Sequence, residues 1–265
     1  LSDVGPIATA FYRFFLSFPI LLVWMIADQM RTPASRVPQS YRDYGLLLGA
    51  GSFLALDITL WHWSIMKTTV MNASLLNNLT TVFVALFSHF VLKEKLSTPM
   101  KTGIALAFLG SFILIMYNFK VDISNVLGDG LALLSAVFFS AFILSIKELR
   151  YHFSPPTILA WGALPTMYLL AFIAFMAGEN FFPSTATGWL PLLGLAFLVH
   201  CMGQGAMTFS MAHLSAPLVA LIMGLSPAFA AFFAWVLFEE SLGWIQIIGA
   251  GTVLLGILIA KRSDS

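Results

Sequence analysis

The chain has 265 residues, 59% of them apolar and 9% charged, and its formal net charge is +1. A soluble fold of this length cannot bury that much apolar surface, whereas a bilayer can solvate it. The near-zero charge argues against a nucleic-acid partner, and the lone Cys201 excludes an intramolecular disulfide.

The chain opens on Leu1-Ser2-Asp3-Val4-Gly5, a loop-like stretch that neither starts with Met nor carries a signal-peptide pattern. A membrane span needs about 20 apolar residues. In chain order nine windows qualify, at roughly 6–27, 45–66, 70–92, 102–117, 128–146, 157–177, 189–211, 217–238 and 242–260. Most breaks between them hold Pro, Gly, Ser or charges, as in Arg31-Thr32-Pro33-Ala34-Ser35-Arg36 and His152-Phe153-Ser154-Pro155-Pro156. The runs are apolar on all sides, which argues for helices over barrel strands.

Lys and Arg sort the connections into two sets. One holds Arg31, Arg36, Arg42, Lys93, Lys95, Lys101, Lys147, Arg150, Lys261 and Arg262; the other holds only Lys67 and Lys120. By the positive-inside rule the first set faces the cytoplasm. Leu1 is then expected outside and Ser265 inside.

Several polar residues fall inside these windows. Arg13, in the outer half of the first, has the fork geometry to clamp a carboxylate or phosphate, or else snorkels to a helix end. Asp57, near the middle of the second, costs about 2.5–3.5 kcal/mol to insert and should face a wet cavity or a partner. Trp61 and Ser64 follow at i+4 and i+7 on its face, and an aromatic beside a carboxylate suits a substrate ammonium. If Arg13 and Asp57 line one cavity, they form a receptor for a zwitterion. Asn72, Asn77 and Asn78 in the third window bind substrate or bridge helices. Trp161, Pro165 and Tyr168 share a face of the sixth, as an aromatic lining or as packing. His200 lies at the middle of the seventh with Gln204 one turn on, either at the site or as a buried neutral histidine. Pro227 interrupts the eighth.

Two stretches nearly repeat one another. Residues 75–96 and 221–242 align at one ungapped offset, so that Leu75 meets Leu221, Phe83 meets Phe229 and Glu94 meets Glu240. Gly103 then meets Gly249, and Gly110 meets Gly256; Gly103 with Gly110, and Gly249 with Gly256, each spaced by two turns, read as sites of close backbone packing or of contact between subunits. Where the first stretch has Lys93 and Lys95, the second has Glu239 and Ser241. The offset pairs the second, third and fourth windows with the seventh, eighth and ninth. A shift of five is odd, so the copies should lie upside down relative to each other, which accounts for the charge swap. The fifth window should pair with a helix before Leu1, giving a ten-helix arrangement seen without its first helix; the alternative is a nine-helix chain. Gly203 falls opposite Asp57, which sets the His200 and Asp57 helices at equivalent places, where inverted-repeat transporters hold their substrates.

The run Leu56-Asp57-Ile58-Thr59-Leu60-Trp61-His62-Trp63-Ser64-Ile65, then Thr69-Val70-Met71-Asn72-Ala73-Ser74-Leu75-Leu76-Asn77-Asn78-Leu79, resembles bacterial members of the drug/metabolite transporter superfamily of the EamA type. So do Ala10-Phe11-Tyr12-Arg13-Phe14 and the closing Glu240, Gln246, Gly249 and Gly256. The resemblance implies an all-α integral membrane fold of two inverted five-helix repeats (5+5), here 1–117 and 128–265 joined by an external linker at 118–127. It implies export or exchange of small metabolites, often amino acids, as in the YddG-like aromatic amino acid exporters. The family pattern also places an Asn at Asn78.

No HExxH, GxSxG, phosphate-binding glycine loop or Cys/His cluster occurs, so neither a cofactor nor a metal is expected. The leading expectation is a carrier, not an enzyme, in the bacterial inner membrane. It would move a small molecule, aromatic or neutral amino acids first, by alternating access around a midplane cavity, as a monomer or homodimer. A membrane enzyme using Asp57 and His200, or a channel, is the alternative, and quaternary amines or nucleoside-like metabolites are the alternative cargo.

Overall fold

Backbone N–H and C=O groups find no water inside a bilayer, so an apolar run satisfies them internally by coiling into a helix. The computed structural model describes residues 4–31, 37–91, 93, 96–116, 126–238 and 244–262. Arg36, Glu94, Lys95, Lys120, Glu239, Glu240, Ser241 and most of the 118–127 linker lie outside the described residues, and with them the charge swap between the two similar stretches.

The order is α1 (Pro6–Arg31), α2 (Tyr41–Ile65), α3 (Val70–Asn77), α4 (Thr80–Phe90), α5 (Thr98–Met116), α6 (Val126–Leu149) and α7 (Pro155–Met176). A short α8 (Trp189–Gly194), a π-helical segment (Leu195–Gln204) and α9 (Gly205–Ser210) follow as one rod. The last elements are α10 (Ala216–Met223), α11 (Ser226–Phe238) and α12 (Trp244–Lys261). Each of the nine windows falls on helix, and no strand occurs among the described residues. Among the described residues six helical spans are long and apolar enough to cross a membrane, and shorter apolar helices occur as well.

Local chemistry sets the ends. The Thr69 hydroxyl caps α3 by accepting from the Asn72 N–H at 3.1 Å. Pro155 and Pro156 open α7, where a missing N–H costs nothing. Pro165 lies inside α7 and Pro19 inside α1 without ending either helix.

Two features escaped the hydropathy pattern. The third and eighth windows are each two helices, broken at Asn78-Leu79 and at Gly224-Leu225. Proline is not the common cause: Pro227 is the second residue of α11, and Thr81 stands in its place in α4. The other is the π segment, whose i→i+5 bonding shifts side chains off α-helical faces. This alters the expected one-turn relation between His200 and the half-buried Gln204.

The chain divides into two compact units, each drawing on both halves of the sequence. The first comprises Leu1–His62 and Ser145–His213. In it α7 is tied to α2 by Thr166, whose hydroxyl donates to the Gly51 carbonyl at 2.8 Å. Lys147 donates to the Met211 carbonyl just past α9 at 3.1 Å. The second comprises Trp63–Leu144 and Leu214–Ser265, with a core of Met100, Ala107, Leu218, Leu221, Val253 and Ala260. Here Asn77 donates to the Ser135 hydroxyl at 3.0 Å, and the Ser140 hydroxyl donates to the Thr80 carbonyl at 3.2 Å, joining α3 and α4 to α6.

Lipid tails are as apolar as leucine, so helices in a membrane associate through close packing of small residues. The glycines singled out in the sequence do this. A Cβ on Gly103 would fall 2.5 Å from the Gly256 carbonyl oxygen, and one on Gly256 would fall 2.6 Å from that of Gly103. A Cβ on Gly110 would likewise meet the Gly249 carbonyl at 2.6 Å, so α5 and α12 touch backbone to backbone at two levels.

Candidate functional site

The first unit gathers a polar cluster on three helices. α1 supplies Arg13 and Phe14, α2 supplies Asp57, and the π segment supplies His200. Phe14 is fully buried and serves as the partition: the Arg13 guanidinium carbon lies 4.8 Å from its ring centroid. The His200 ring meets it edge-on at 4.3 Å. Asp57 is 8% exposed and His200 is 2% exposed. Arg13 lies within electrostatic reach of Asp57, His62 and His200, which makes it the hub of the cluster.

The hydrogen bonding there is incomplete. Nδ1 and Nε2 of His200 are both buried without a partner among the described residues, and so is Arg13 Nε. A buried polar atom left unmade costs about 1–3 kcal/mol. Three such atoms lie around a single phenylalanine, Phe14. Arg13 presents donors only, Asp57 acceptors when ionised, and neutral His200 one of each. This set can hold an anion and a cation together.

Arg13 is within electrostatic reach of both Asp57 and His200; the surroundings of the other expected residues differ. Trp61, one turn beyond Asp57, is half-buried. Trp161 packs edge-on against Tyr44 at 5.1 Å, at the first turn of α2, roughly 20 Å along that helix from Asp57. Tyr168 is 69% exposed. Asn78 belongs to the second unit.

Sequence reasoning missed three participants. Phe14 reads as one more apolar residue in an apolar run. His62, whose Nδ1 lies 2.7 Å from the Ile58 carbonyl, is within electrostatic reach of Arg13. Glu179, just past α7, reaches the start of α1: Ala8 N–H donates to Oε2 at 2.8 Å and Ile7 N–H to Oε1 at 3.3 Å. α1 has no acid in its own first turn, so this carboxylate supplies the missing cap and complements the helix dipole. The absent acid was the one available sequence signal. Glu179 is also within electrostatic reach of His62, which links the loop to the cluster.

A family model described as the EamA-like transporter family matches residues 1–116 and 126–261. An uncharacterized transporter of Archaeoglobus fulgidus is 24% identical over 271 residues, covering 100% of this chain and 90% of the relative. The pseudopaline exporter CntI of Pseudomonas aeruginosa is 26% identical over 244 residues, covering 92% of this chain and 82% of CntI. The uncharacterized inner membrane transporter YhbE of Escherichia coli is 28% identical over 259 residues, covering 92% of this chain and 75% of YhbE. A solved crystal structure superposes with a TM-score of 0.81 at 16% identity, covering 99% of this chain and 91% of the other, which shows the fold.

Proposed function

The chain belongs to the EamA-like transporter family, and from that premise we propose that it carries small zwitterionic metabolites, aromatic or neutral amino acids first, by alternating access. That it is a multi-pass membrane transporter rather than an enzyme follows from the family; the cargo is the further step. One observation carries it: a guanidinium and a carboxylate share the interior of the first unit with an imidazole whose two nitrogens have no partner among the described residues. A substrate carboxylate takes the donors of Arg13, which hold planar anions in bidentate fashion. The ammonium takes Asp57, and His200 completes the hydrogen bonding. Neither substrate charge then loses its solvation uncompensated.

Export or exchange is the direction this reading adopts, supported by a relative that is named an exporter. The sorting of Lys and Arg supports a cytoplasmic C-terminus, and the bacterial inner membrane is supported by YhbE. The division into inverted repeats at 1–117 and 128–265 is supported by α10, whose two ends lie 146 positions after those of α3, the same offset that aligns Leu75 with Leu221.

Counterflow in proteoliposomes with a panel of labelled amino acids tests the proposal. Saturable, trans-stimulated uptake of at least one aromatic or neutral amino acid is expected, and it should be weakened in Asp57→Asn. Uptake that rises linearly without trans-stimulation would make the protein a channel. Saturable uptake of quaternary amines or nucleosides, with none of amino acids, would overturn the assignment of cargo.

A further inference from the structure

The two helix breaks of the second unit match residue for residue. α3 ends at Asn77 with Asn78 as its C-cap, and α10 ends at Met223 with Gly224 as its C-cap. The two caps have the same backbone, with φ −62° and ψ −17° at Asn78 and φ −62° and ψ −6° at Gly224. Thr69 and Ser215, the residues before each helix, are both extended. In both breaks the chain tightens through an i→i+3 bond, Leu79 N–H to Leu76 C=O and Leu225 N–H to Ile222 C=O, each at 3.1 Å. Paired breaks at equivalent places in two similar segments are a strong pointer to a binding site in a transporter.

A small pocket of about 10 Å³, room for one water-sized group, lies at these breaks. Asn78, Thr81, Phe108, Ser111, Leu221 and Gly224 line it. The Asn78 amide nitrogen is buried without an acceptor among the described residues. Ser111 is 3% exposed. The Thr81 hydroxyl donates to the Ala220 carbonyl at 3.2 Å, which leaves its oxygen free to accept. The pocket exists because the matched caps differ. Where α3 has asparagine, α10 has glycine, and a Cβ there would meet the Leu221 carbonyl at 3.1 Å and the Thr81 hydroxyl at 3.7 Å. Among the described residues no charged side chain lines the space. An ion there would lose its hydration with nothing to replace it, whereas a neutral oxygen would satisfy the orphaned amide.

We propose that this pocket binds an uncharged hydrogen-bonding group of the transported molecule, a hydroxyl, amide or carbonyl, with Asn78 donating to its oxygen and Gly224 leaving the room. As a statement about cargo it rests on the transporter reading; as a statement about the pocket's chemistry it stands alone.

The protein has a single cysteine, so a thiol placed in the pocket can be followed selectively. In a Cys201→Ala background, Ser111→Cys is treated with hydroxyethyl, ethyl and sulfonatoethyl methanethiosulfonate. The hydroxyethyl reagent should react at least ten times faster than the anionic one. Adding Asn78→Ala should lower the ratio of hydroxyethyl to ethyl rates about tenfold, the worth of one hydrogen bond. That ratio cancels the reagents' different partitioning into lipid. Adding Gly224→Asn should slow both neutral reagents at least tenfold. An unchanged ratio in Asn78→Ala, anionic labelling as fast as neutral, or a thiol inert to all three in monodisperse protein would each overturn the proposal. Labelling as expected alongside negative amino acid counterflow would leave the pocket standing and sink the cargo assignment instead.

Discussion

His200 stands edge-on to Phe14, with their ring centroids 4.3 Å apart and their planes at 61°. The imidazole leans on a hydrocarbon wall rather than on a hydrogen bond, so its orientation depends on that wall. Phe14→Ala removes it and leaves a cavity at a fully buried position, at a cost of about 3–5 kcal/mol. Phe14→Leu keeps most of the volume and should cost less than about 1.5 kcal/mol. Thermal unfolding in detergent should therefore separate the two variants clearly, and the leucine variant should fold while binding cargo more weakly.

Arg13→Lys keeps the charge and loses the planar fork. If Arg13 clamps a carboxylate, the counterflow KM for a zwitterionic cargo should rise at least tenfold while the protein remains monodisperse. An unchanged KM would remove Arg13 from the site. Because Arg13 is also within electrostatic reach of Asp57, the effects of Arg13→Lys and Asp57→Asn should fail to add in a double-mutant cycle.

Glu179→Ala strips the start of α1 of the carboxylate that accepts from Ile7 and Ala8. Losses of this kind run to about 0.5–2 kcal/mol. Hydrogen exchange should show faster exchange at Ile7 and Ala8, with α6 and α12 unaffected. Glu179→Gln, which retains an acceptor, should restore part of the protection.

Gly103→Ala and Gly256→Ala should each lower the thermal midpoint. Each added methyl meets a carbonyl on the facing helix, and overpacking of this sort costs about 1–3 kcal/mol. Gly130→Ala has open space around its Cβ and serves as the control, with little or no change expected.

The helices were legible in the sequence because a run apolar on all sides has few alternatives in a bilayer. Arg13, Asp57 and His200 stood out for the converse reason: a polar group in such a run is costly enough to need a partner or a wet cavity. Direction around each helix was not legible. Where every face is apolar, nothing in the pattern says that Trp161 packs on Tyr44 or that Tyr168 is exposed. The π segment was equally hidden, since hydropathy does not encode whether an N–H bonds four or five residues back. The break at Asn78 carried no proline to announce it. Glu179 lay in a loop, and its place against α1 depends on contacts 171 and 172 residues apart in the chain.

The crossing of α5 and α12 has a genetic consequence. Most packing defects can be relieved by a second change that makes the neighbour smaller. At Gly103 and Gly256 the nearest neighbour is already glycine, and the first atom each would strike is the other's main-chain oxygen, which no substitution removes. A screen for suppressors of Gly103→Ala should therefore return no change at Gly256, only changes elsewhere along α5 and α12 that let the helices shift apart. The joint is fixed because both partners have already given up all they have.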